Sequence, residues 1–394
     1  MRRFLRAAVA ALWAGFAGIG AAGAVEIVGS TGQVNPKSDP DNTVFDSVLI
    51  EDAKGGFGVY WGKNGGGRLP IVSQLLVRSY DAKLKPLTGP LRFDAPIDGV
   101  TPDFYFIRNG TPLDKNRSLL AYEARAEGAN HQFAGQYFKA GKPQKGPAHL
   151  EDTPFAVQGD GLLPLLDGRG LAYVTENLFG NGYRGRLVKR DGTLGPLDID
   201  LSGDDGDGFH QAAALDEGFA AVRVRVEDSK FQLLAQVYDK QGAPEGELFP
   251  LTDFLDRFGT NRLIGLRSGK LLYMRFLDDA GRGDITGQLF SRTGKKIGKT
   301  VALMKDVGFQ QTISAIALDK GLMIAASDGD PAFEGKKFVL YASFDDKLKR
   351  VGKIAKTKPA KFLVRGQIRL LSDGRVAASH VVDAKKLLVD ILEP

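Results

Sequence analysis

One pattern recurs along the whole chain at a period of about 50 residues: a polar residue, a short apolar run, then a basic turn. It reads Arg186-Leu-Val-Lys-Arg-Asp-Gly192, Gln236-Val-Tyr-Asp-Lys-Gln-Gly242 and Gln288-Leu-Phe-Ser-Arg-Thr-Gly294. Looser copies are Arg78-Ser-Tyr-Asp-Ala-Lys-Leu84, Gln136-Tyr-Phe-Lys-Ala-Gly141 and Ala342-Ser-Phe-Asp-Asp-Lys-Leu348. A fixed period of this length restricts a chain to a solenoid, a propeller or an array. Each unit is one supersecondary element that buries its apolar face only against a neighbouring copy.

Ahead of each basic turn stands a second unit, two strand-like runs joined by a tight turn. Leu162–Leu166, Asp167-Gly-Arg-Gly170 and Leu171–Thr175 form one; Arg262–Leu266, Arg267-Ser-Gly-Lys270 and Leu271–Phe276 form another. Short runs rich in branched and aromatic residues, bounded by Asp-Gly and related dipeptides, are hairpins. The turn glycines Gly168, Gly218, Gly269, Gly321 and Gly374 follow one another at 50 to 53 residues. A less regular copy near Asn116 fills the gap between Gly55 and Gly168, which brings the number of units to seven.

Four antiparallel strands per unit is the blade of a β-propeller. A stacked solenoid would need atypical capping repeats, whereas here the two ends are complementary. The last unit stops at Leu387–Pro394, short of a final strand, and Val25–Gly32 carries the late-strand pattern. The expectation is therefore an all-β, seven-bladed propeller of four-stranded antiparallel blades, its ring closed by the N-terminal strand joining the last blade. The chain resembles bacterial exported seven-bladed propellers across residues 25–394, on period and turn pattern. The Gly-His and Trp-Asp dipeptides of WD-repeat proteins are absent. The resemblance implies a fold and carries no functional residue.

Residues 1–24 read as a secretory signal peptide: Arg2, Arg3 and Arg6, an apolar stretch from Ala7, then the small-x-small site Ala22-Gly-Ala24. The stretch falls short of the ~20 residues a membrane span needs. Residues 25–394 then form one propeller domain, periplasmic or secreted, with no transmembrane segment in the mature chain. There is no cysteine, so an exported chain must hold together through its own core. Thiol chemistry, Cys-zinc sites and thioether-linked haem are excluded. Without the leader, 50 basic side chains face 47 acidic ones, a balance that gives no sign of a nucleic-acid partner.

In such a blade the short hairpin turns lie on one face of the disc, and the longer second-to-third loops and inter-blade connections lie on the other. Loops on a rigid scaffold are where binding residues concentrate. Trp61, Asn64, Asn177, Phe179, Asn181 and Tyr183 combine aromatic and amide groups on this side, suited to stack on and hydrogen-bond a sugar or peptide. Asp278, Asp279, Arg282 and Asp284 form a charged loop that includes an Arg-Gly-Asp tripeptide. Charge sorts the same way: lysines and arginines crowd the third-to-fourth turns, aspartates the long loops. This predicts an acidic upper face and a basic lower rim, able to meet an anionic membrane surface peripherally.

No metal-binding spacing surrounds His131, His149, His210 or His380. Asp204, Asp205 and Asp207 are a candidate calcium loop. Aligned to an EF-hand, however, they put Gly203 at the first position and Ala214 where a bidentate Glu is required. No cofactor is otherwise implied. The leading expectation is a non-enzymatic binding platform for a protein or glycan partner, working through the long-loop face. The alternative is a metal-assisted hydrolase, lactonase or lyase, using acidic residues and His210 drawn together in the central funnel.

Overall fold

The computed structural model describes residues 25–36, 44–51, 56–64, 72–93, 102, 104–114, 116–125, 132–150, 159–175, 182–202, 208–257, 259–279, 282–308, 313–328, 337–360, 363–382 and 386–394. Their regular structure is entirely β, in seven four-stranded antiparallel sheets. β1 (Glu26–Ser30) comes first in the chain and belongs to the last sheet. Blade one is β2 (Val44–Glu51), β3 (Phe57–Asn64), β4 (Val72–Tyr80) and β5 (Leu91–Arg92). Blade two is β6 (Phe104–Leu113), β7 (Arg117–Arg125), β8 (Gln132–Lys139) and β9 (Lys142–His149). Blade three is β10 (Gly159–Pro164), β11 (Gly170–Thr175), β12 (Tyr183–Val188) and β13 (Ile199–Asp200). Blade four is β14 (Gly208–Ala214), β15 (Phe219–Glu227), β16 (Lys230–Tyr238) and β17 (Pro244–Pro250). Blade five is β18 (Asn261–Gly265), β19 (Leu271–Asp279), β20 (Arg282–Phe290) and β21 (Lys296–Gly308). Blade six is β22 (Ser314–Ala317), β23 (Leu322–Asp328), β24 (Phe338–Phe344) and β25 (Arg350–Lys356). Blade seven is β26 (Leu363–Leu370), β27 (Val376–Val382), β28 (Lys386–Glu393) and then β1.

The first strand of each blade touches the first strands of both neighbours, and β26 returns to β2, so the seven form a closed inner ring. The core is divided accordingly. Seven apolar clusters occur, one between each pair of adjacent blades, blades seven and one included. This explains the near-continuous apolar runs of the middle strands. In β23, Leu322, Ile324 and Ala326 pack towards blade five, while Met323 and Ala325 pack towards blade seven. A strand side-chain period of two thus serves two interfaces at once. Outer strands such as β25 are largely exposed.

Closure follows the expectation. β1 pairs antiparallel with β28, Ile27 opposite Leu392 and Ser30 opposite Asp390. Beyond the strand, Thr31 N–H donates to Val389 C=O at 2.8 Å and Val34 N–H to Leu387 C=O at 2.9 Å. The Asn35 side chain accepts from Leu387 N–H at 3.0 Å.

The hairpin turns correct the predicted basic rim. In the third-to-fourth turns of blades one and six an aspartate precedes the lysines and caps the turn. Asp81 Oδ1 accepts from Lys83 and Lys85 N–H, both at 2.9 Å, and Asp345 Oδ1 does the same for Lys347 and Lys349. The first-to-second turns of the same face add Asp167, Asp216, Asp319 and Asp373, each ion-paired to an arginine. Turn chemistry demands those carboxylates, so this face is charge-mixed. The aspartates expected opposite, at 204, 205 and 207, lie outside the described residues. Among the described residues no helix is long and apolar enough to cross a membrane.

Candidate functional site

First strands run from the connection face to the hairpin-turn face, and the space they enclose is an axial channel of about 630 Å³. Its wall includes small and aliphatic residues, among them Leu163, Ala213, Ile264, Ala315 and Ile368. Set into that wall are four arginines, Arg108, Arg262, Arg267 and Arg369, with one carboxylate, Glu51. The described lining is therefore cationic, and the way each charge is satisfied decides what it can do.

Three of the arginines have partners. Arg369 donates from Nε to Leu49 C=O at 3.2 Å and from Nη2 to Gly110 C=O at 2.6 Å, tying blade seven to blades one and two. Burial pulls it down to about 10, with Glu51 pulling the other way, and it stays protonated near neutrality. Arg108 forms an ion pair with the buried Glu123 and lies over the Phe106 ring. Arg267, at the hairpin-turn end, pairs with Asp319 at 3.3 Å.

Arg262 differs. It is the second residue of β18, so it stands at the long-loop mouth of the channel. No described residue gives it a hydrogen bond or an ion pair, and its Nε is enclosed and orphaned. Burial holds Arg262 below the usual guanidinium value, partly offset by its electrostatic interaction with Tyr173.

The neighbourhood of Arg262 is built by blades three, four and five. Tyr173, on β11, lies beside Gly161 of β10. A Cβ at Gly161 would sit 2.9 Å from the tyrosine hydroxyl, so the missing side chain makes room for the ring beside the channel. Tyr173 packs at 4.9 Å between ring centres on Phe209, which packs at 5.1 Å on Tyr183. On β14, His210 Nε2 meets Asn261 Oδ1 at 2.9 Å. The Gln211 amide donates to the same Oδ1 at 3.0 Å, and Gln211 Oε1 accepts from Leu263 N–H at 3.3 Å. Asn261 Oδ1 is thus an acceptor, so His210 carries its proton on Nε2. Burial holds His210 below the ordinary histidine value; the Asn261 hydrogen bond opposes this and the Arg262 charge reinforces it. Across the channel, the Gln367 and Asn109 side-chain amides hydrogen-bond at 3.3 Å.

The residues singled out in the sequence are not gathered here. Trp61 is wholly buried in β3, in the cluster between blades seven and one, so it packs the core and presents no surface to a partner. Asn64 ends the same strand and Asp278 and Asp279 end β19, their side chains outside the described residues. Asn177, Phe179 and Asn181 lie outside them altogether, as do Asp204, Asp205 and Asp207. Tyr183 joins the aromatic contact that leads to Tyr173. Arg282 bonds Asp306 at 2.7 Å and Asp328 at 3.3 Å, and Asp284 accepts from Asp306 N–H at 3.0 Å. The tripeptide therefore braces β20 against β21. His380 Nδ1 faces Asp390 at 3.6 Å inside blade seven. Among the described residues no three His, Asp or Glu side chains assemble as a metal site. Sequence reasoning missed Arg262, Tyr173 and Gly161. The available signal was a charged residue inside an otherwise apolar first strand, Asn261-Arg-Leu-Ile-Gly265.

No family model matches the chain, and no curated protein matches it. Solved structures do. A protein of unknown function from Dyadobacter fermentans matches with a TM-score of 0.50 and 11% identity, covering 94% of this chain and 99% of that one. An ulvan lyase, a polysaccharide lyase solved bound to -[GlcA(1-4)Rha3S]-, matches with a TM-score of 0.54 and 11% identity, covering 92% and 95%. At such identities the likeness is one of fold.

Proposed function

We propose that this chain is an exported, non-enzymatic binding propeller that receives a protein segment or glycan at the long-loop mouth of its axial channel. The observation that carries the reading is the channel itself, a preformed cavity with a few polar groups set into an otherwise apolar wall, as binding sites commonly are. The leader-like residues 1–24 support export to the periplasm or beyond. A calcium ion at Asp204, Asp205 and Asp207, and peripheral contact with an anionic membrane, remain secondary proposals from the sequence. The fold is compatible with a saccharide, since the ulvan lyase of like architecture is solved with one bound. The weight nonetheless rests on this chain's own channel.

Calorimetric titration with a panel of oligosaccharides and peptides tests the reading. Binding by the intact chain, lost on plugging the channel with Ala315→Trp at unchanged Tm, is the expected result. Undiminished binding by the plugged variant would place the ligand elsewhere, and no binding across the panel would remove the reading.

A further inference from the structure

The channel's arginines divide unequally. Arg369 is held by two carbonyls, Arg108 by Glu123 and Arg267 by Asp319, whereas Arg262 has no counter-charge among the described residues. A half-buried guanidinium with its Nε enclosed and no counter-charge is unfavourable for the ligand-free fold. Groups that cost stability are kept where function uses them. A guanidinium presents a planar fork of donors that matches a carboxylate bidentately. The missing partner is then an oxyanion brought by the ligand.

Resting on the reading of the channel as the binding site, we propose that Arg262 anchors a carboxylate carried on a saccharide ring. The ligand class is an acidic, uronate-type glycan entering from the long-loop face. Two features favour a sugar over an acidic peptide. Tyr173 lies beside Arg262 at the end of an aromatic series with Phe209 and Tyr183, and aromatic faces suit the apolar face of a pyranose. The Asn109 and Gln367 amides line the channel, their oxygens held by Gly110 N–H, by Leu49 N–H and, for Asn109, also by the Gln367 amide, which leaves amide N–H donors for hydroxyls. Glu51, the one lining carboxylate among the described residues, lies at the end of β2, on the hairpin-turn side away from Arg262, where it accepts from Ser372 N–H.

The test is calorimetry with oligogalacturonate, a neutral oligosaccharide of the same length, a sulfated neutral glycan and oligoglutamate. Oligogalacturonate should bind best and weaken with salt. Arg262→Gln should weaken it at least about tenfold, and Arg262→Lys should lie between. Arg292→Gln, on the hairpin-turn face, should change nothing. Ligand-free Arg262→Met should melt higher by about 1–3 °C, since it removes a half-buried charge that has no partner. A lower Tm would mean the guanidinium already has a structural partner and would overturn the proposal. So would equal affinity for the neutral sugar with no effect of Arg262→Gln, though the channel would remain a glycan site. A preference for the sulfated glycan or for oligoglutamate would replace the carboxylate sugar with that class.

Discussion

His380 sits in blade seven with a side chain only 4% exposed, its Nδ1 3.6 Å from a carboxylate oxygen of Asp390. Burial, the largest influence, pushes His380 below the ordinary histidine value of 6.5, and the Asp390 charge only partly restores it. His210 is displaced the same way. Both therefore bind protons more weakly folded than unfolded, so stability is full above about pH 6.5 and falls as the pH drops through that value. Asp390 is displaced upward from 3.8 by burial, so its contribution has the opposite sign, and His380→Gln reports on both members of the pair. Urea midpoints at about pH 7.5 and 5.5 should show the intact chain losing stability on acidification. His380→Gln should lose less, and a variant lacking both histidines less still. An unchanged slope in His380→Gln would mean that the ring is already protonated and ion-paired in the fold. The same scale explains which repeats were hard to see. In the loose copies of blades one and six the position that glycine holds elsewhere is occupied by Leu84 and Leu348, and in blade two's first hairpin by Asn116, all at positive φ. The backbone repeats where the residue type does not, and a reading of dipeptides is blind to that.

At the level of strands and hairpins, the repeated glutamine has a structural origin. In blades two, four and five the third strand slips register against the fourth at or beside Gln136, Gln236 and Gln288. Each side-chain amide donates to the next residue's carbonyl and to one on the fourth strand: Gln144 at 2.9 Å, Glu245 at 3.4 Å and Ile297 at 3.1 Å. The motif that revealed the period is thus the clasp of a bulge and no part of a binding site. The hairpin glycines, equivalent in sequence, are unequal in space. Gly321 and Gly374 share a φ of 87°, but a Cβ at Gly321 would lie 1.9 Å from Phe344 C=O, while at Gly374 it would meet nothing within 4 Å. Gly374→Ala should cost about 1 kcal/mol, the left-handed conformation alone. Gly321→Ala adds a backbone collision, and about 3 kcal/mol or more is expected. Denaturant titrations giving equal losses would refute the distinction.

Period, blade number and closure were legible because they depend on near-sequence patterns. The channel was not, because it is made by long-range convergence. Arg108, Arg262 and Arg369 lie in three different blades and share a cavity only once the ring has closed. Closure rests on few residues. β1 is short and half-exposed, yet it covers β28, whose Leu387, Val389, Ile391 and Leu392 are fully buried. Removing residues 25–36 would leave β28 as an unpaired apolar edge, the kind of strand that recruits another chain. It would also strip Val34 from the cluster joining blades seven and one. In a linear repeat array such a loss stays near the end, because each unit depends only on its neighbours. In a ring it loosens the junction of blades seven and one, where β2 meets β26 and β27. The truncated chain should therefore melt far below the intact one and self-associate in light scattering. A peptide of residues 25–36 added in trans should restore both Tm and monodispersity, since β1 pairs through its backbone, reinforced by Thr31 and Asn35. Arg262 gives a second readout: acidic-glycan binding should vanish with truncation and return with the peptide, because the channel exists only in the closed ring. A truncated chain that keeps its Tm, stays monomeric and still binds would show that the inner ring holds without its N-terminal strand.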